Sequence, residues 1–206
     1  MNAQSNKICI WNEKSQCENC ELQGKLHCHP YFQHSLYFML SYFAGLVPAI
    51  LGIIFAQVSI LTSSGIIGGW IIYAIFFFCV WESKVLCSHC PHYSNPAQKI
   101  LHCGVNSGMY KITSYNPNPI SSGEKVQFFI GAAILLGYFL PFLFILGQFV
   151  YFILNITGIV IWVIVIQLKH CKECINFSCP LNRTPDDLKK EFIRKNPVIS
   201  EMHNSP

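Results

Sequence analysis

What the chain lacks most is charge. Asp, Glu, Lys and Arg make up 12% of its 206 residues, against about 25% in an ordinary soluble domain. The shortage is concentrated in two places. Between His34 and Glu82 there is no Asp, Glu, Lys, Arg or His, and the same holds between Lys125 and Lys169. Each gap is about twice the roughly 20 residues that one helix needs to cross a hydrocarbon core. A water-soluble fold is excluded, and each gap reads as two membrane-crossing helices. The same absence bears on function, because ion and proton pathways through membrane helices normally use ionisable side chains. The polar residues within the gaps are Ser41, Gln57, Ser59, Gln148, Asn155 and Thr157, types that more often bond between helices. The segment Met1 to Tyr31 is not expected to be a secretory signal, since it carries charges and four cysteines and has no apolar core of signal-peptide type.

The expected fold is all-α and integral to the membrane, with four transmembrane helices as two hairpins and cysteine-rich cytoplasmic segments. Residues 1–34 form an N-terminal cysteine-rich segment, 35–81 the first hairpin, 82–125 a central cysteine-rich loop, 126–168 the second hairpin and 169–206 a cysteine-rich tail. The first hairpin is predicted to turn through Thr62-Ser63-Ser64-Gly65 and the second near Gly147-Gln148. That second turn leaves Asn155 inside the fourth helix, so its N-I-T sequon is not expected to be a glycan acceptor, which needs an exposed loop. All 14 Lys and Arg lie outside the gaps, on one side of such a four-span chain. The positive-inside rule makes that side cytoplasmic, with both termini there, and places the protein in the cell's inner membrane. Pro48 and Pro141 fall midway along the first and third spans and should bend them. The matched prolines, each followed by a glutamine (Gln57, Gln148), allow a parallel internal repeat.

Ten of the eleven cysteines lie outside the gaps, and nine form three sets of one pattern, a C-x-x-C and a later cysteine. They are Cys17, Cys20 and Cys28; Cys87, Cys90 and Cys103; and Cys171, Cys174 and Cys179. Cys9 stands outside the pattern, and Cys79 reads as a buried small hydrophobe. Histidines accompany each set: His27 and His29, then His89, His92 and His102, then His170. Disulfides fit poorly with a cytosolic face, where thiols stay reduced. Metal binding fits better, because a C-x-x-C lets two thiolates converge on one ion and zinc takes four S or N ligands. Iron–sulfur clusters suit the same ligands. No segment holds the paired C-x-x-C…C-x-x-C zinc spacing or the bacterial ferredoxin run. A site is therefore Cys₃His within one set, with His29, His92 and His170 as the histidine candidates, or is assembled across sets. Thiol redox chemistry at Cys87 and Cys90, linked to a quinone, is the enzyme-class alternative. Haem attachment is disfavoured, since no C-x-x-C is followed directly by histidine.

The remaining segments are less specific. Gly104 to Lys125 is a long Gly/Asn/Ser/Pro-rich loop containing Tyr110, Lys111, Glu124 and Lys125, either a polar-ligand site or a solvated connector. Thr184-Pro185-Asp186-Asp187 is a helix start, with Thr184 as the expected cap. Leu188 and Phe192 then make a short apolar face, expected to cover the cysteine segments rather than lie on lipid.

ESKVLCSHCPHY, the following L-H-C-G with Tyr115-Asn116-Pro117-Asn118-Pro119 and Glu124-Lys125, and CKECINFSCPLNRTP together resemble a family of prokaryotic polytopic membrane proteins for which no activity is established. The resemblance implies the four-span, cysteine-rich architecture and adds no reaction. The expected function is a membrane module whose cysteine sets bind zinc or an iron–sulfur cluster, for structure, docking or electron transfer. A thiol oxidoreductase and an assembly factor of a larger complex are the alternatives. The expected partners are the bilayer and a protein at the cytoplasmic face, with no nucleic acid.

Overall fold

The computed structural model describes residues 8–11, 17, 19–29, 32–103, 105–197 and 199. Four helices are long and apolar enough to cross a membrane: α1 (Phe32–Ile54), α2 (Ile60–His89), α3 (Ser122–Ile145) and α4 (Phe149–His170). A fifth, α5 (Asp186–Lys195), is short and polar outside one apolar stripe. Among the described residues there is no strand beyond a single bridge between Ile100 and Tyr110. Large apolar side chains such as Ile60, Leu61, Ile72, Ile145 and Val150 stand exposed on the outer faces. That much apolar surface would drive association in water and is at home against lipid chains.

The heaviest packing joins the first and last spans. α1 lies along α4, and the end of α2 lies along α3. Small residues permit the first contact: a Cβ built at Gly45 would meet the Gly158 and Ile159 backbone at 3.2 Å, so the two backbones approach closely. Tryptophan and tyrosine donors make the second. Trp70 Nε1 donates to Leu135 O at 3.3 Å, Tyr73 Oη to Gly131 O at 3.0 Å and Trp81 Nε1 to Gln127 O at 3.1 Å. Each uses a carbonyl on the neighbouring helix, and Trp81, beside Glu82 at the end of the apolar run, sits where interfacial aromatic rings are favoured.

The first turn lies earlier than expected. α1 stops at Ile54, Gln57 takes φ 54°, and Ser59 caps α2 by accepting from Thr62 N at 3.1 Å. Thr62-Ser63-Ser64-Gly65 therefore sits inside α2. A good N-cap outweighed the mild helix aversion of those four residues. The second turn falls at Gly147 (φ 69°) and Gln148 as expected, and Asn155 is inside α4. α3 is interrupted at Tyr138–Phe139, just ahead of Pro141, which offers no N–H to the Gly137 carbonyl and crowds it. α1 runs unbroken through Pro48.

α2 and α4 each widen into a π-helical turn near their C-terminal ends, Phe77–Glu82 and Ile166–His170. Each leads within a few residues into a C-x-x-C pair. Such turns recur at functional sites.

Candidate metal centre

The three cysteine sets resolve into two nests at one end of the bundle. The first contains Cys17, Cys20, Cys28 and also Cys9, which the triplet pattern left out. The Cys17–Cys20 turn is closed by Cys20 N donating to Cys17 O at 3.0 Å, and Cys17 Sγ is 3.4 Å from His29 Nε2. Burial, then the neighbouring Cys9, Cys20 and Cys17, pushes the Cys28 thiol up to about 12. Cys9 is held by Asn196, whose Oδ1 accepts from Cys9 N at 2.6 Å and whose Nδ2 donates to Cys9 Sγ at 3.2 Å. Lys195 Nζ reaches Cys20 Sγ at 3.7 Å. The end of α5 thus supplies donors to two sulfurs. Phe192 anchors it, fully buried with Ile8, Leu22, Leu26, Ile175 and Ile199. The amphipathic face packs on the cysteine segment, as expected. Thr184 does not cap α5; its hydroxyl donates to Cys174 O at 2.7 Å.

The second nest pools the other two sets. Cys87, Cys90, Cys103, Cys171, Cys174 and Cys179 all line one cavity of about 190 Å³. One water needs only about 10–15 Å³ on such a measure, so the space is generous. Cys87 and Cys90 arrive at the end of α2, Cys103 from the central loop, and the remaining three after α4. Burial, then Cys174 and Cys103, raises Cys90; burial first also pushes Cys103 up to about 11 and Cys179 to about 12. Donors converge on these sulfurs. Asn106 Nδ2 donates to Cys87 Sγ at 3.3 Å, Asn106 N to Cys103 Sγ at 3.1 Å and Asn176 N to Cys174 Sγ at 3.4 Å. Glu82 also lines the cavity, 8% exposed, with Oε2 lacking a hydrogen-bond partner.

All eleven cysteines are free thiols. Among the described residues no three of their sulfurs come within 4.8 Å of one another. Sulfurs about 2.3 Å from one tetrahedral zinc would sit about 3.8 Å apart. The nests are wider than that.

The histidines separate by role. His89, inside the second C-x-x-C, points away from the thiols: Nδ1 donates to Asn118 O at 2.6 Å and Nε2 is 3.3 Å from Glu124 Oε1. Glu124 also completes a capping box with Ser121 at the start of α3. His92 lines the cavity but commits Nε2 to His27 O at 3.0 Å. His170 lines the cavity too, 5% exposed, and neither ring nitrogen has a hydrogen-bond partner. Burial, then His34, His170 and His92, brings His27 down to about 3, so its imidazole is neutral.

Cys9 had a sequence signal in the symmetric spacing C-x₇-C-x₂-C-x₇-C over Cys9, Cys17, Cys20 and Cys28. Asn106 and Asn196 had none, since their role depends on contacts with sulfurs 19 and 187 residues away. The chain matches no family model, no curated protein and no solved structure.

Proposed function

We propose that the protein is a membrane-anchored iron–sulfur protein that carries electrons at the cytoplasmic face of the inner membrane. Cys9, Cys17, Cys20 and Cys28 would hold one cluster. The six cavity thiols, Cys87, Cys90, Cys103, Cys171, Cys174 and Cys179, would supply the ligands of a second centre. The carrying observation is that six thiols from two distant segments converge on one cavity. Separation of the sulfurs beyond a zinc tetrahedron favours a polynuclear centre, whose thiolates bind different metal ions. When bound, a cluster supplies a one-electron couple tuned by charge and by hydrogen bonds to its sulfurs.

The chain's own groups fit that task. Asn106, Asn176, Asn196 and Lys195 present N–H donors to thiolate sulfurs. Cys20 and Cys28 of the first nest and Cys90 of the second pack against the same apolar cluster, so the two centres would lie beside one another. A thiol oxidoreductase fits less well. Such an enzyme needs only the Cys87–Cys90 pair and leaves the convergence of Cys103, Cys171, Cys174 and Cys179 on the same cavity unexplained.

Iron and acid-labile sulfide analysis of anaerobically purified protein tests the proposal, together with visible and electron paramagnetic resonance spectra. A brown, iron- and sulfide-containing sample with a reducible signal is expected. A colourless sample holding zinc in the nests would overturn electron transfer and leave a structural site. Metal-free protein with a reversible Cys87–Cys90 disulfide would reject both.

A further inference from the structure

Beside the thiols, one cluster of nitrogen and oxygen donors is not used by the proposed centres. His27, His34 and Glu173 each place a ligand atom within 4.8 Å of the other two. His27 Nε2 lies 2.9 Å from Glu173 Oε2 yet makes no hydrogen bond. The two atoms are close without being aligned as donor and acceptor. The imidazoles of His27 and His34 stand 4.0 Å apart between centroids. His170 completes the surround, its ring 5.9 Å from His27 and 6.1 Å from His34. Both His170 nitrogens are buried and without a partner. A buried imidazole with neither nitrogen satisfied is costly in a folded protein unless something else meets it.

We infer that His27, His34, His170 and Glu173 form a mononuclear site for a first-row divalent transition ion such as Zn²⁺ or Fe²⁺. Imidazole and carboxylate donors suit those ions. Two imidazoles on one tetrahedral ion, with metal–nitrogen bonds of about 2.0–2.1 Å, place their ring centroids about 5 Å apart. His170, at 5.9 and 6.1 Å between centroids, stands outside the three-residue group and has to close in to join it. Ligand atoms on such an ion sit about 3.3 Å apart, so the His27–Glu173 pair at 2.9 Å and the His27 and His34 rings at 4.0 Å need to open slightly.

The site joins four parts of the chain. His27 comes from the N-terminal segment, and its backbone N–H donates to Glu173 O at 2.7 Å. His34 lies in the first turn of α1, His170 ends α4, and Glu173 lies between Cys171 and Cys174. His27 and His170 also line the thiol cavity, so a bound ion would clamp the first nest to the mouth of the second. A ligand that binds only the folded state stabilises it by mass action, and here the gain falls on the contacts that hold the two nests together.

Co²⁺ titration of the full-length protein in detergent, anaerobic and after mild chelation, reads the site directly. One equivalent is expected, with the weak visible bands of nitrogen and oxygen ligation and no sulfur-to-cobalt charge-transfer band, and Zn²⁺ should displace it. His34→Gln and Glu173→Gln should each weaken binding at least about tenfold, since loss of even an outer partner of a ligand can do as much. Iron and sulfide content, measured on the same samples, should stay at the wild-type level in both variants. That measurement also reports folding. Wild-type affinity in both variants would overturn the site, as would a cobalt spectrum dominated by thiolate bands that Cys90→Ser removes. If the nests prove to lack iron, the cobalt result still stands or falls on the His34 and Glu173 variants.

Discussion

Asn155 Nδ2 donates to the Gly45 carbonyl at 3.0 Å across the interface of α4 and α1. One turn further along α4, Gly158 faces the same glycine, and any Cβ there would collide with the Gly45 backbone. The contact combines a buried amide with two residues small enough for the helices to approach.

Close approach should matter more than the hydrogen bond. Interhelical hydrogen bonds in membranes average about 0.6 kcal/mol, whereas overpacking costs about 1–3 kcal/mol. Gly158→Val is therefore expected to destabilise the protein more than Asn155→Leu, read as loss of folded protein in a detergent–denaturant titration. Gly45→Ala should fall between wild type and Gly158→Val, because its added Cβ meets backbone at 3.2 Å rather than overlapping it. Equal effects of Gly158→Val and Asn155→Leu would show that the amide governs the interface.

Cys9→Ala should remove the share of iron belonging to the N-terminal nest and its resonance signal, although the C-x-x-C pattern omits Cys9. Cys79→Ala, within α2, should leave iron and sulfide unchanged. Analysis of the two purified variants side by side separates them, and full iron in Cys9→Ala would remove Cys9 from the ligand set.

His89 is committed to Asn118 O and Glu124. His89→Ala should retain wild-type iron and sulfide while lowering stability by about 1–3 kcal/mol, the scale of two lost hydrogen bonds. Loss of metal in properly folded His89→Ala protein would place this histidine among the ligands after all.

Glu82 presents an unpartnered carboxylate oxygen inside the thiol cavity. Neutralising it in Glu82→Gln should raise the midpoint potential of the cavity centre, because removal of negative charge nearby favours the reduced state. Iron content should not change. An unaltered potential in a redox titration would mean that Glu82 is already neutral or is shielded from the centre.

Phe192 is fully buried under the N-terminal nest. Phe192→Ala should cost about 3–5 kcal/mol locally. It should free α5 to limited proteolysis and weaken the grip of Asn196 on Cys9. The spanning helices should keep their resistance, since they share no core with Phe192.

Much of this protein follows from local properties that a sequence records directly. Two long uncharged gaps can bury themselves only in lipid or in a very large core, so four apolar helices were legible without contacts. Gly147 beside Gln148 marked one turn, and Leu188 with Phe192 marked the apolar face of α5. The first turn was misplaced because Ser59 caps more effectively than Thr62–Gly65 interrupts, a balance decided by a few tenths of a kcal/mol in propensity.

Only the tertiary structure decided how the cysteines divide. Their spacing describes three equal sets, but the chain's return through α4 brings the second and third onto one cavity, and α5 presses Cys9 into the first. The same folding turned His89 away from the thiols and set His27, His34, His170 and Glu173 together. Groupings of this kind depend on where helices end relative to one another. That is fixed by packing such as Gly45 against Gly158 and Trp70 against α3, and no local spacing encodes it.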